Sequence, residues 1–278
     1  MTGGAMTGGA MTGGGDGGLR QVTPSAGVVL APNPGPMTLD GTNTWVLRGP
    51  GSAGAVVVDP GPLHEGHLAA VAAQGPVELV LLTHGHADHS EGARRFAELT
   101  GAPVRALDPA HRLGDEGLAE GDVVARAGLE LRVLQTPGHS SDSLSFVLSA
   151  EGEPDCVLTG DTVLGRGTTV VAHPDGVLAD YLASLRRLQE LGDATVLPGH
   201  GPELPSAGAA AAQYLAHREQ RLEQVRAAVA DGATSARAVV ERVYAEVLEG
   251  AGPALWDAAE LSVRAQLAYL QGRREDVR

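Results

Sequence analysis

One cysteine, Cys156, occurs in 278 residues. A lone thiol cannot close an internal disulfide, so a stapled secreted scaffold is excluded and a reducing cytoplasm is the natural compartment. Its setting in the apolar run DCVLTGD reads as a small core position rather than a nucleophile. Positive charge is also scarce: 20 Lys and Arg face 34 Asp and Glu, for a net charge of −14. That excludes a free-standing basic stripe for nucleic acid; any RNA site has to be local, with a metal supplying positive charge. Aromatic residues make up 3%, which leaves Val, Leu and Ala to build the core. No apolar run reaches the ~18–20 residues that cross a bilayer, so no membrane partner is expected. The first residues show neither the basic-then-apolar pattern of a signal peptide nor the Arg-rich helix of a mitochondrial presequence.

What is present is ample apolar content, 43%, enough for a globular core. The chain opens on MTGGA repeats with nothing to bury, and residues 1–18 are expected to be disordered. From 19 to 205 short strands alternate with a few helices. GVVLAPN, NTWVLRG and AGAVVVDPG read as strands divided by Gly, Pro and Asn turns. HLAAVAAQ reads as a helix, and VELVLLTH as an all-apolar strand buried on both faces. SEGARRFAELTG reads as a helix capped by Ser90 and stopped at Gly101. PVRAL, LELRVLQT, SLSFVLS, DCVLTGD and ATVLPGHG supply further strands. LADYLASLRRLQELG places Leu182, Leu185, Leu188 and Leu191 on one helical side. Residues 206–278 change character: three helical segments follow with almost no strand signal. Too small to be stabilised by its own burial, this module is expected to pack on the first domain.

The chemistry concentrates in LLTHGHADHSEG, where His84, His86, Asp88 and His89 follow a buried strand. Side chains of an extended segment alternate, so 84, 86 and 88 can converge, and a helix start can turn 89 toward a neighbouring centre. Neutral imidazole and ionised carboxylate are ligands that Zn2+ accepts in catalytic sites and that Fe2+ or Mn2+ tolerate. One cluster cannot fill two coordination shells. Three more candidates follow the same grammar of apolar strand, glycine and ligand: His139 in VLQTPGHSSDS, Asp161 in CVLTGDT and His200 in TVLPGHGP. Glycine lets backbone approach an ion without Cβ crowding. His64, His67, His111, His173 and His217 stand outside this pattern and read as structural. Asp59, closing AVVVDPG, is the candidate to receive an outer imidazole N–H, with Thr83 and Ser90 as weaker ones. Arg166 in GDTVLGRGTT suits an anionic substrate group or an exposed surface, and Thr168 and Thr169 are compatible with substrate hydrogen bonds.

The H-x-H-x-D-H motif, followed in order by His139, Asp161 and His200, resembles the metallo-β-lactamase superfamily. That resemblance implies an α/β (α+β) fold, an αββα sandwich with its metals at one edge. It implies His84, His86 and His139 on a first ion, Asp88, His89 and His200 on a second, and Asp161 bridging. NPGPMTLDGTNTWVL, GDTVLGRGTTVV and QYLAHREQR resemble the β-lactamase-like protein 2 branch more narrowly. That branch carries a winged-helix-like C-terminal module. Its animal member cleaves single-stranded RNA, and its fungal relatives hydrolyse acyl thioesters on carrier proteins.

By this resemblance two Zn2+ ions, or Mn2+ or Fe2+, would share a hydroxide between them as nucleophile, with Asp88 orienting it. The expected substrate is an ester or thioester on a small molecule or acyl carrier; the alternative is single-stranded RNA. A homodimer is compatible with this reading. RNA would need an open basic groove built from Arg218, Arg221, Arg226 and Arg237, but Glu219, Glu223 and Asp231 interleave with them as on a solvated helix face. A metal-dependent scaffold is disfavoured because all seven ligands are intact.

Overall fold

The computed structural model describes residues 18–275 except position 115; apart from Gly18, the disorder expected of residues 1–18 lies outside the described residues. The first half of the chain supplies strands β1 (Arg20–Thr23), β2 (Ala26–Leu30), β3 (Asn43–Leu47), β4 (Ala55–Val58), β5 (Val77–Leu81) and β6 (Val104–Arg105). Between them lie helices α1 (Glu65–Ala72), α2 (Ala87–Ser90) and α3 (Ala93–Thr100). These strands form one sheet in chain order, antiparallel up to β4, with β4, β5 and β6 parallel. The second sheet contains β7 (Val123–Arg126), β8 (Leu129–Gln135), β9 (Leu144–Ser149), β10 (Cys156–Gly160) and β11 (Thr195–Pro198). Its order is β11-β10-β9-β8-β7, and only the β10–β11 pair is parallel.

Residue alternation decides what packs where. In β4, Val56 and Val58 join the cluster between the sheets, while Ala55 and Val57 join the cluster beneath α1 and α3. In β5, Leu79 and Leu81 point inward and Val80 points outward. In β10, Leu158 faces inward and Val157 faces α4 (Leu178–Gln189). A strand period of two thus lets each of these strands bind two layers at once, although β5 is buried on both faces only from Leu79, since Val77 is half-buried and Glu78 is exposed. The result is four layers, helix–sheet–sheet–helix, as the motifs imply. Leu182, Leu185 and Leu188 of α4 are buried against the second sheet, each stabilising by about 1.5–3 kcal/mol.

Three helices end the chain: α5 (Ala207–Ala230), α6 (Ala236–Val243) and α7 (Pro253–Glu275). Ala207, Ala210, Ala211 and Tyr214 of α5 share the cluster of α4, whereas Val225 and Ala228 pack with Val239, Val240 and Val263 in a separate cluster. The module therefore does pack on the sandwich, through α5 and, by Ala265, Tyr269 and Leu270, through α7. Among the described residues it carries no strand, so the module is helical and has no wing there. Among the described residues no helix is long and apolar enough to cross a membrane.

Several local expectations need correction. Ser90 does not cap a helix: it ends α2, and α3 starts after Gly92 without a side-chain cap. Gly101 does stop α3, in the left-handed conformation at φ 73°. Of the three helical segments expected beyond residue 206, the second, read from SARAVVERVYAEVL, is helical only over Ala236–Val243. Strands β1 and β7 carry too little apolar pattern to be read from sequence, because both are edge strands with mostly exposed residues.

Candidate metal centre

Each sequence-predicted ligand lies just beyond a strand. His84 follows β5, His139 follows β8, Asp161 follows β10 and His200 follows β11. The two sheets are locked together at this edge: Asn43 N–H donates to Gly199 O at 2.8 Å, and its amide nitrogen donates to Pro198 O and Gly201 O, both at 2.9 Å. Sequence reading missed Asn43; its only signal is an amide at a strand start after Gly-Thr.

Three groups of ligand atoms form here: His84 with His86 and His139; His84 with His89 and Asp161; and Asp88 with His89 and His200. His86 Nδ1 lies 3.0 Å from His84 Nε2 and 3.0 Å from His139 Nε2. His200 Nε2 lies 3.2 Å from His89 Nε2, 3.1 Å from Asp88 Oδ2 and 3.4 Å from Asp161 Oδ1. Asp161 Oδ2 is 3.6 Å from His139 Nε2, so its two oxygens face the two groups. All seven predicted ligands thus meet at one edge, and the other five histidines belong to no such group among the described residues.

The outer nitrogens explain which atoms point inward. His89 Nδ1 lies 2.8 Å from Asp59 Oδ2, His139 Nδ1 is 2.9 Å from Val170 O, and His200 Nδ1 is 3.1 Å from Gly41 O. Thr83 donates its hydroxyl to Asp59 Oδ2 at 2.7 Å, which leaves its lone pair for His84 Nδ1 at 3.0 Å. With the Nδ1 atoms held outward, the Nε2 atoms of His84, His89, His139 and His200 face the centre. Ser90 touches no imidazole; its hydroxyl donates to Gly85 O and His86 O.

Charge follows the same geometry. Burial, with its neighbouring histidines, holds His84 well below the usual imidazole range, and burial likewise lowers His139. Burial pulls His89 the same way, but the carboxylates of Asp161, Asp59 and Asp88 override it and hold the ring well above that range. Burial alone would raise Asp161 and Asp88; His89 and His200 outweigh it and keep both low.

These residues fit a pair of metal ions. Lone pairs at 3.0 Å with too few protons between them repel unless a cation intervenes, and buried Asp161 Oδ1 has no hydrogen-bond partner. The packing leaves no room for a side chain at Gly199, where a Cβ would lie 2.7 Å from both Asp161 Oδ1 and His89 Cε1.

Other candidates fare differently. Arg166 is exposed and holds Asp40 with both arms of its fork, Nη2 to Oδ1 at 2.8 Å. Thr169 is buried and donates its hydroxyl to Asp161 O. The four tail arginines form no groove toward the metals. Arg218 is buried, Arg221 lies over Tyr244, Arg226 pairs with Glu223, and Arg237 pairs with Glu241 over Trp256.

Residues 37–200 match the family model described as metallo-beta-lactamase superfamily. The chain is 38% identical over 207 residues to an atrochrysone carboxyl ACP thioesterase of Aspergillus fumigatus, across 71% of this chain and 62% of that protein. It is 32% identical over 210 residues to the beta-lactamase-like protein 2 homolog of Caenorhabditis elegans, across 71% of this chain and 68% of that protein. Among solved structures it is similar to a beta-lactamase domain protein from Burkholderia ambifaria, with TM-score 0.78, 28% identity and coverage of 94% and 91% of the two chains.

Proposed function

Because the chain belongs to the metallo-β-lactamase superfamily and is a hydrolase, we propose that it uses a dinuclear metal centre, with zinc in both positions, to hydrolyse an ester or thioester of a small molecule or acyl carrier. The observation that carries this is the convergence of three imidazole nitrogens on one point, beside two imidazoles and an aspartate on another, with Asp161 between. His84, His86 and His139 would hold one ion, Asp88, His89 and His200 the other, and Asp161 would bridge. Mn2+ or Fe2+ suits the same donors. Bound ions would lower the pKa of water toward ~7 and polarise the acyl oxygen.

Asp88 is the catalytic residue of this reading. Its carboxylate is 28% exposed while the His89 and His200 rings it faces are sealed, so in this reading it meets incoming water and orients it. Water adds at the acyl carbon and the C–S bond breaks; the thiol leaves with one proton, and the second stays on the acid or passes to solvent. Asp59 keeps His89 aimed inward. Arg166 would receive an anionic group of the substrate by exchanging Asp40 for it.

Two observations favour an acyl substrate over RNA. A cavity of about 380 Å3 lies between the 173–178 segment and α7, walled by Pro174, Val177, Leu178, Ala265 and Tyr269. Its wall reaches the metal loop, where Val177 N–H donates to Gly138 O at 3.0 Å, next to His139. The tail arginines are buried, stacked or paired instead of lining a basic groove. The reading includes a cytoplasmic setting, in keeping with the buried thiol of Cys156, which burial pushes up to about 11. Residues 19–205 form the hydrolase domain in this reading and 206–278 its support.

The test is direct. Purified protein loaded with zinc or manganese is assayed on an acyl-N-acetylcysteamine thioester, an acylated carrier protein and labelled single-stranded RNA. Thioester turnover that His86→Ala abolishes is expected. RNA cleavage lost in that variant, without thioester turnover in the parent, selects the ribonuclease.

A further inference from the structure

Arg218 is the anomaly of the tail. It is 4% exposed, its Nε has no partner, and none of the ion pairs among the described residues involves it. A buried guanidinium without a carboxylate destabilises a fold unless it does something else. Its Nη2 donates to Thr169 O, and its carbon lies 5.1 Å from the Tyr181 ring centre. Thr169 in turn donates its hydroxyl to Asp161 O, and the next carbonyl, Val170 O, holds His139 Nδ1. One turn earlier on α5, Tyr214 Oη accepts from Leu164 N–H at 3.0 Å and donates to Leu164 O at 3.2 Å. The adjacent Gly165 N–H donates to His200 O at 2.8 Å.

Helix α5 therefore touches the 161–170 loop at two points. Each point is one or two bonded steps from a ligand of the second sheet. We infer that Tyr214 and Arg218 are positioning residues: helix α5 sets the geometry of His139, Asp161 and His200, so the C-terminal module completes the metal centre rather than merely covering it. This rests on the metal reading above. It accounts for a buried cation where an apolar side chain would pack at lower cost. The ligands of the 84–89 loop have no such link to the tail; their supports, Asp59, Thr83 and Ser90, all belong to the first sheet and its loops.

The experiment compares the full-length parent with Arg218→Met, Arg218→Lys and Tyr214→Phe. Each is measured for apo-protein melting, metal affinity by chelator competition, and the visible absorption of the Co2+-loaded form. Arg218→Met is expected to melt at or above the parent temperature, because an unpaired buried charge is gone. Its metal affinity should nevertheless fall roughly 10-fold or more, as for lost outer partners of ligands, with an altered Co2+ spectrum. Arg218→Lys, which still donates to Thr169 O, should recover part of that loss. Should Arg218→Met fail to fold, Tyr214→Phe, which removes one hydroxyl, decides: a several-fold loss with a shifted spectrum supports the inference. Parent affinity and parent spectrum in both variants that fold overturn it. A parent that binds no metal overturns the functional reading and this inference together; a parent that binds, beside indifferent variants, overturns the inference alone.

Discussion

The two halves of the metal centre are built differently. His84, His86, Asp88 and His89 occupy one short segment that follows β5 and ends in α2, held by side chains of the same half: Asp59 takes Thr83 N–H and His89, and Ser90 ties down Gly85 and His86. His139, Asp161 and His200 come from three separate strand ends, and their supports are backbone carbonyls and residues of α5. A contiguous loop can carry its own geometry. Scattered ligands need an outside frame, and that difference predicts where each half is vulnerable.

The largest effect is expected where the halves meet. Gly199 leaves no space for even one methyl group between Asp161 and His89. Gly199→Ala forces both ligands apart, so metal content and hydrolysis should drop to background while circular dichroism still reports the sandwich. Parent-level metal in that variant, by elemental analysis, would break the claim that the halves share one centre.

The next effect tests the frame of the first half. His67 is buried beneath it, its Nε2 2.9 Å from Thr44 Oγ1, which donates to Asp59 O. Burial, helped by His64, lowers His67 to about 4 from the ordinary 6.5. The unfolded chain then binds more protons than the folded one between those values. Stability is full above pH 6.5 and falls as pH drops, by an order of 3 kcal/mol once below 4. In metal-free protein, His67→Gln should show a shallower loss of urea stability between pH 7.5 and 4.5 than the parent. Equal slopes would remove His67 from the acid sensitivity of this half.

Much of this was legible in sequence because the signals were local or repeated. The apolar runs of β4, β10 and the latter part of β5 announced strands buried on two faces, and strand, glycine, ligand recurred at His139, Asp161 and His200. Of the four edge strands, β6 and β11 were legible from their apolar runs and β1 and β7 were not: Val123 of β7 is 57% exposed, so no alternation marks it. Ser90 misled because a serine before a helical run looks like a cap, whereas its hydroxyl was needed by two loop carbonyls. Arg218 misled more deeply. Arginine in a run of Glu and Arg reads as solvated, and only the tertiary path of the 161–170 loop reveals why this one is inside. Contacts between positions separated by some fifty residues leave no periodic trace in one sequence.

A smaller effect sharpens the first-half frame. Asp59 sits at φ 53°, a conformation asparagine tolerates, so Asp59→Asn preserves the backbone. Its amide can still accept from Thr83 but loses the charge facing His89. Metal affinity should fall about 10- to 100-fold, as for other partners of ligating imidazoles, without the Co2+ spectral change at His139 and Asp161 expected of Arg218→Met. The same spectrum from both variants would erase the distinction between self-held and tail-held ligands.

The smallest effect sets two arginines of α5 against each other. Arg226 lies two turns beyond Arg218, about half exposed, paired with Glu223 at 3.1 Å on the same helix. A solvated pair of this kind contributes little, so Arg226→Ala should shift stability within about 0.5 kcal/mol and leave thioester turnover at the parent rate. Under the ribonuclease alternative the outcome differs in kind: a lost phosphate contact weakens RNA binding across sequences and lowers its salt slope by about 1. Salt-dependent binding of parent and variant to single-stranded RNA separates the two. Identical slopes leave Arg218, the arginine that faces inward, as the one whose charge matters to the site.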